Sequence, residues 1–125
     1  MHPSTSPAIR AVTVYCGSHT PSDAIYTQAA QAFGEYLADH GITLIYGGSN
    51  VGTMKTLADA VLAKGGKVVG VFTKDLSEEI AHRGVTELIL TENLAERKAI
   101  MLKRADAVVA LPGSYGTWDK LFDAL

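Results

Sequence analysis

The sequence predicts an α/β fold, a three-layer, doubly wound parallel sheet of the Rossmann-like kind. Three observations predict it. Short apolar runs rich in valine, isoleucine and leucine alternate with segments of helical periodicity along the chain. Those runs are continuous rather than polar at every second residue, as strands are when both faces of a sheet are covered. The breaks between elements are short, so consecutive elements are neighbours and right-handed crossovers place helices on both faces.

Each element has its own signal. Residues 11–16 (AVTVYC) are a β-rich run that stops at Gly17-Ser18. Residues 22–40 read as an amphipathic helix. Pro21 or Ser22 opens it, Ile25, Ala29, Ala32, Phe33, Tyr36 and Leu37 fall at helical spacing, and Gly41 stops it. Residues 42–46 form a second strand ending at Gly47-Gly48. A second helix covers 52–64 and closes at Gly65-Gly66, and a third strand covers 67–72. Ser77 caps a short helical turn over 77–80. A fourth strand at 86–90, a third long helix at 93–104 and a fifth strand at 107–111 follow. A last helix opens at 118 and reaches Leu125 after about two turns. The sequence leaves a natural short form, a C-terminal truncation and a fragment all open. If strands are missing, the last one present becomes an edge or needs a partner chain.

With 125 residues the expectation is one domain with a real core. Residues 11–125 are read as that single nucleotide-binding domain and residues 1–10 as a disordered arm. Met1 to Pro7 is polar, holds two prolines and has no apolar h-region, so it is not read as a signal peptide. A hydrophobic content of 47% and a charged content of 19% are ordinary for a globular protein. The net charge of −2 gives no electrostatic case for nucleic acid. No apolar run approaches the roughly 20 residues of a membrane span. Cys16 is the only cysteine; it reads as a reduced, packed thiol in a cytoplasmic protein.

Parallel sheets bind ligands at the carboxyl ends of their strands, where strand order reverses. Three strand ends carry small residues suited to close backbone approach: Cys16-Gly17-Ser18, Gly47-Gly48-Ser49-Asn50-Val51-Gly52, and Pro112 to Thr117. The third is the most informative. An apolar strand stops at Pro112, a loop with Gly113 and Gly116 follows, and a helical pattern opens at Thr117. Bare backbone N–H groups and the positive end of a helix dipole make such a turn a phosphate site. No turn has the G-x-G-x-x-G spacing of a dinucleotide fold or the lysine of a Walker A loop, which disfavours NAD and ATP hydrolysis. His2, His19, His40 and His82 lack metal-ligand spacing, so no metal is expected. Met54 and Met101 read as core, and Tyr115 and Trp118 as packing against a base, a partner subunit or the core.

Pro112-Gly113-Ser114-Tyr115-Gly116-Thr117-Trp118-Asp119-Lys120 resembles the P-G-G-x-G-T-x-x-E signature of the LOG ("Lonely Guy") family, once described as lysine decarboxylases. Other blocks agree in order. Val14 to Ser18 resembles its first strand and turn. Tyr46 to Met54 is similar to its Y-G-G-G-x-x-G-L-M, and Gly66 to Val71 to its third strand. Glu79-Ile80-Ala81-His82 resembles its acidic turn. Glu96-Arg97-Lys98 resembles M-H-x-R-K with Leu94 and Ala95 in place of Met and His. The resemblance implies a cofactor-free phosphoribohydrolase. It would cleave the N-glycosidic bond of a cytokinin riboside 5′-monophosphate or AMP to give free base and ribose 5-phosphate, as a homodimer with the site near the interface. It implies that Gly113, Ser114, Tyr115, Gly116 and Thr117 cradle the 5′-phosphate, that Glu79 and Lys98 contact substrate, and that Arg97 is the catalytic arginine. It puts the catalytic glutamate at position 120.

Lys120 departs from that scheme. Glycosidic cleavage builds oxocarbenium-like charge on the ribose, which a carboxylate stabilises and a lysine repels. Asp119 points about 100° away on a helix, whereas Asp123, at i+3, reaches the same face. The leading expectation is a LOG-type hydrolase whose hydrolysis is impaired by Lys120 or depends on another acid. The alternative is a nucleotide or phosphoribosyl binder without catalysis on the same fold. A true lysine decarboxylase is rejected, because pyridoxal phosphate chemistry needs a Schiff-base lysine in a much larger site.

Overall fold

The computed structural model describes residues 9–15, 24–49, 52–74, 82 and 84–111, with side chains from residue 27 onward in the first helix. Strand β1 (Ala11–Tyr15) is followed by α1 (Ala24–Asp39), β2 (Thr43–Tyr46), α2 (Gly52–Ala63), β3 (Val68–Thr73), β4 (Glu87–Thr91), α3 (Leu94–Arg104) and β5 (Ala107–Ala110). All strand pairs are parallel, and the five-stranded sheet has the order β4-β3-β2-β1-β5. The chain therefore builds outward from β1 to β4. It then crosses back through α3 and lays β5 on the other side of β1. Strand order reverses between β1 and β5, which makes the carboxyl ends of these strands the place for a ligand.

The two-residue period of the strands sorts their side chains into two cores. Val12, Val14, Leu44, Tyr46 and Val68 face α1 and α2 and pack with Ala30, Leu37, Met54, Leu57, Ala58 and Val61. Tyr15, Ile45, Val69 and Val71 face α3 and pack with Met101. Every residue of β3 is buried, which is why this strand reads as an unbroken apolar run. On the first face the two helices meet closely at Gly34. A Cβ there would lie 2.7 Å from the Leu57 carbonyl oxygen and 2.8 Å from the Ala60 Cβ.

The predicted elements within the described residues are present, with ends shifted by one or two residues. The fourth strand starts at Glu87 rather than Thr86 because the Thr86 hydroxyl accepts the Val68 N–H at 3.0 Å, closing the ladder with a side chain. The fifth strand ends at Ala110, yet Leu111 N–H still donates to the Tyr15 carbonyl at 2.9 Å. Arg10, assigned by sequence to the arm, leads into the sheet: its N–H donates to Asp106 Oδ2 at 2.8 Å, and its carbonyl accepts Thr43 N–H at 2.9 Å. Ala11 N–H shares the same carboxylate oxygen at 3.1 Å. Residues 1–8, the short turn expected at 77–80 and the helix expected from 118 lie outside the described residues.

Candidate functional site

Helix α3 starts where β4 ends, so its N-terminus sits at the carboxyl edge of the sheet. Asn93 is its N-cap: the carboxamide oxygen accepts Glu96 N–H at 2.8 Å. Glu96 in turn accepts Glu92 N–H at 3.3 Å, so one orphan donor of the helix and the amide just before the cap are satisfied locally. The cap fixes the first turn, and the next residue is Arg97.

Arg97 points inward under the sheet and is only 6% exposed, where an arginine on a helix is ordinarily a solvated surface charge. Its Nε donates to the Val71 carbonyl at 2.7 Å and its Nη2 to the Gly47 carbonyl at 2.8 Å. The guanidinium thus spans the carboxyl half of β3 and the residue just after β2. Burial pushes it down from its ordinary value, and the nearby Tyr15 side chain acts in the opposite sense. An arginine stays protonated nonetheless. Among the described residues no carboxylate pairs with it, so the desolvated cation is held by carbonyl dipoles alone. Its Nη1 edge has no protein partner among the described residues. That arrangement favours an incoming anion such as a phosphate or carboxylate, to which a guanidinium presents a fixed fork of donors.

The turn that receives Arg97 is built from glycines for steric reasons. A Cβ at Gly47 would overlap Arg97 Nη2 and crowd the Met54 thioether at 3.2 Å. Gly48 has φ +77°, in the left-handed region, and a Cβ there would meet the Phe72 Cβ at 3.2 Å. Two further bonds hold the turn: Tyr46 Oη donates to the Ser49 carbonyl at 3.2 Å, and His82 N–H donates to the Gly48 carbonyl at 2.8 Å. The His82 ring is itself fixed, with Nε2 2.7 Å from Asp59 Oδ1 and Nδ1 accepting Gly84 N–H at 3.0 Å. Asp59 also pairs with Lys55. Burial raises the Asp59 carboxyl, but the hydrogen bonds and charges of Lys55 and His82 outweigh it and leave the group below the usual value.

Of the residues singled out from sequence, the structure places Arg97 between the carboxyl end of β2 and the carboxyl half of β3. Lys98 is half-buried on the same helical turn, rotated about 100° from Arg97 and so on a different face. Glu79, Gly113, Ser114, Tyr115, Gly116, Thr117 and Lys120 lie outside the described residues. Leu111, the last described residue, donates its N–H to the Tyr15 carbonyl at the end of β1, at the point of strand reversal. Met54 and Met101 are buried core residues. Among the described residues no group of three His, Cys, Asp or Glu side chains is placed to hold a metal ion. Sequence reasoning passed over Asp59 and gave His82 no role. The spacing of His82 and Gly84 carried a faint signal, because a ring nitrogen that accepts the N–H two residues on behaves like an Asx turn.

Comparison with known proteins adds a family and a set of relatives. A family model described as possible lysine decarboxylase matches residues 54–125. A cytokinin riboside 5′-monophosphate phosphoribohydrolase from Rhodococcoides fascians is 41% identical over 121 residues, covering 95% of this chain and 61% of that protein. A protein of the same name from Mycobacterium tuberculosis is 44% identical over 114 residues, covering 90% of this chain and 60% of that protein. The chain therefore spans about three-fifths of the length of these curated relatives. Among solved structures, the molybdenum cofactor carrier protein of Chlamydomonas reinhardtii superposes with a TM-score of 0.79 at 23% identity, over 92% of this chain and 70% of that one, a likeness of fold.

Proposed function

The chain belongs to the LOG family, the one whose model is described as possible lysine decarboxylase, and from that premise we propose that it is directed at nucleoside 5′-monophosphates. The reaction is hydrolysis of the N-glycosidic bond of a cytokinin riboside 5′-monophosphate or AMP, with water adding to the ribose and the free base leaving ribose 5-phosphate. The observation that carries this reading is the buried Arg97 guanidinium, set between the carboxyl end of β2 and the carboxyl half of β3 with two carbonyl partners and no carboxylate paired with it among the described residues.

In this reading Arg97 binds and polarises the ribose phosphate, with Lys98 contacting the nucleotide. The Gly113, Ser114, Tyr115, Gly116 and Thr117 amides cradle the 5′-phosphate at the reversal of strand order, and Glu79 contacts the substrate. The protein acts without a cofactor, as a cytoplasmic homodimer with the site near the subunit interface. Among the described residues no helix is long and apolar enough to cross a membrane.

Lys120 occupies the position of the family's glutamate, and this one substitution favours a second reading: nucleotide binding with weak or absent hydrolysis. One assay separates them. Incubation with AMP and with isopentenyladenosine monophosphate, followed by chromatography, supports the hydrolase if free base accumulates. Saturable binding without base release supports the binder. Under the first reading Lys120→Glu raises turnover by about two orders of magnitude or more, since a carboxylate replaces a cation beside developing positive charge. No gain in a folded, nucleotide-binding variant refutes that role for position 120.

A further inference from the structure

The contact between His82 and the glycine turn lies outside the roles given so far. His82 lies between β3 and β4 in the chain, and its backbone N–H reaches the Gly48 carbonyl at 2.8 Å. Gly48 is the neighbour of Gly47, whose carbonyl receives Arg97 Nη2. A backbone hydrogen bond holds a turn only as firmly as its donor is held. Here the donor's own ring is locked on both sides, by Asp59 of α2 and by Gly84 N–H. The His82 side chain is 11% exposed, so the ring itself is packed in place, although its Asp59 partner is 41% exposed. Because Nδ1 accepts from an amide, the neutral ring carries its proton on Nε2, aimed at the Asp59 carboxylate.

We propose that His82 is a positioning residue: clamped by Asp59 and Gly84, it holds the Gly47–Gly48 turn in the place where the Arg97 guanidinium rests. Asp59, through His82, belongs to the same linkage. The chain of contacts runs from α2 through the His82 ring to the end of β2 and then to the arginine of α3. Neither His82 nor Asp59 needs to touch the ligand. Their effect reaches it through the placement of Arg97, and small displacements of such a group are costly to rate.

The kinetic arm of the test rests on the hydrolase reading; the spectroscopic arm does not. Arg97 Nε–H is a buried donor with its own nitrogen-15 resonance, and its exchange with solvent reports how well the guanidinium is held. In His82→Ala and in Asp59→Ala that exchange rises by about tenfold or more, while the amides of α1 keep their protection. The double variant exchanges no faster than either single one, as expected for two residues acting through one linkage. His82→Gln, which keeps a donor toward Asp59, recovers most of the protection. In base-release assays on AMP, His82→Ala lowers kcat by about tenfold with KM within about threefold of the parent, and His82→Gln restores it. An Arg97 Nε–H unaffected in His82→Ala, or protection lost equally throughout α1 and α2, overturns the proposal. If the parent protein releases no base, the hydrolase reading fails, and the exchange of Arg97 alone decides the role of His82.

Discussion

Replacing Gly47 by alanine tests the seat of Arg97 with a single methyl group. Gly47 is not among the residues with positive φ, so alanine meets no conformational barrier there and the effect is steric. The new Cβ overlaps Arg97 Nη2, while the Met54 Sδ and Cε at 3.2 Å belong to a flexible side chain that yields easily. The guanidinium must therefore leave the Gly47 carbonyl, forfeiting a 2.8 Å hydrogen bond from a charged donor. Such bonds contribute about 1.5–3 kcal/mol. Because Nε can keep the Val71 carbonyl, a loss near 2 kcal/mol is expected, or a fall in Tm of about 8 °C for a domain of this size. Urea titration of parent and variant, with a common m-value, measures it. The same substitution in an Arg97→Met background should cost less than about 0.5 kcal/mol, since the overlapping group is gone. A Gly47→Ala variant as stable as the parent, or one with equal cost in both backgrounds, refutes the steric account.

Other substitutions probe the neighbouring links. Arg97→Lys keeps the charge, but an ammonium lacks the planar fork that spans the Val71 and Gly47 carbonyls; nucleotide affinity, followed by calorimetry, should fall by about tenfold or more. Asn93→Ala removes the cap of α3 and should cost about 1 kcal/mol in urea unfolding, while Asn93→Ser should recover most of it. Asp59 has a carboxyl held below its ordinary value of 3.8. A depressed folded-state value contributes stability above the unfolded value and loses it as pH falls through the folded one. The stability gap between parent and Asp59→Asn should thus be constant near neutrality and shrink on acidification below 3.8; a gap that widens there contradicts the assignment.

Most of the fold was legible because the inner strands β1, β2 and β3 are buried on both faces. Val68 to Phe72 could hardly be anything but an inner parallel strand, and its neighbours followed from the same pattern. Boundaries were less legible where a side chain stands in for backbone, as Thr86 does at the start of β4. At the site, Arg97 was marked by the residues around it in the chain, but its burial was not. Nothing local in Leu94 to Arg104 says that the fourth residue of the helix turns under the sheet to meet carbonyls 26 and 50 positions away. The Asp59–His82 pair spans 23 residues and carries no periodic signal, since it depends on how a helix and a connection happen to meet. The departure at Lys120 was visible from sequence alone, because a family position leaves its mark in residue type rather than in geometry.

The clasp between Asp106 and the amides of Arg10 and Ala11 joins groups 96 and 95 residues apart. It means that β1, though inside the described sheet, gains its second neighbour only after β2, β3 and β4 have been made. Until β5 arrives, that flank of β1 stands open, with its N–H and C=O groups unpaired. Contacts so distant in sequence slow folding, and a nascent chain stalled before residue 106 would expose a ready template for strands from other molecules. Covering that flank early, by a chaperone or by rapid synthesis, thus matters more for this topology than for one whose central strand is paired by its immediate successors.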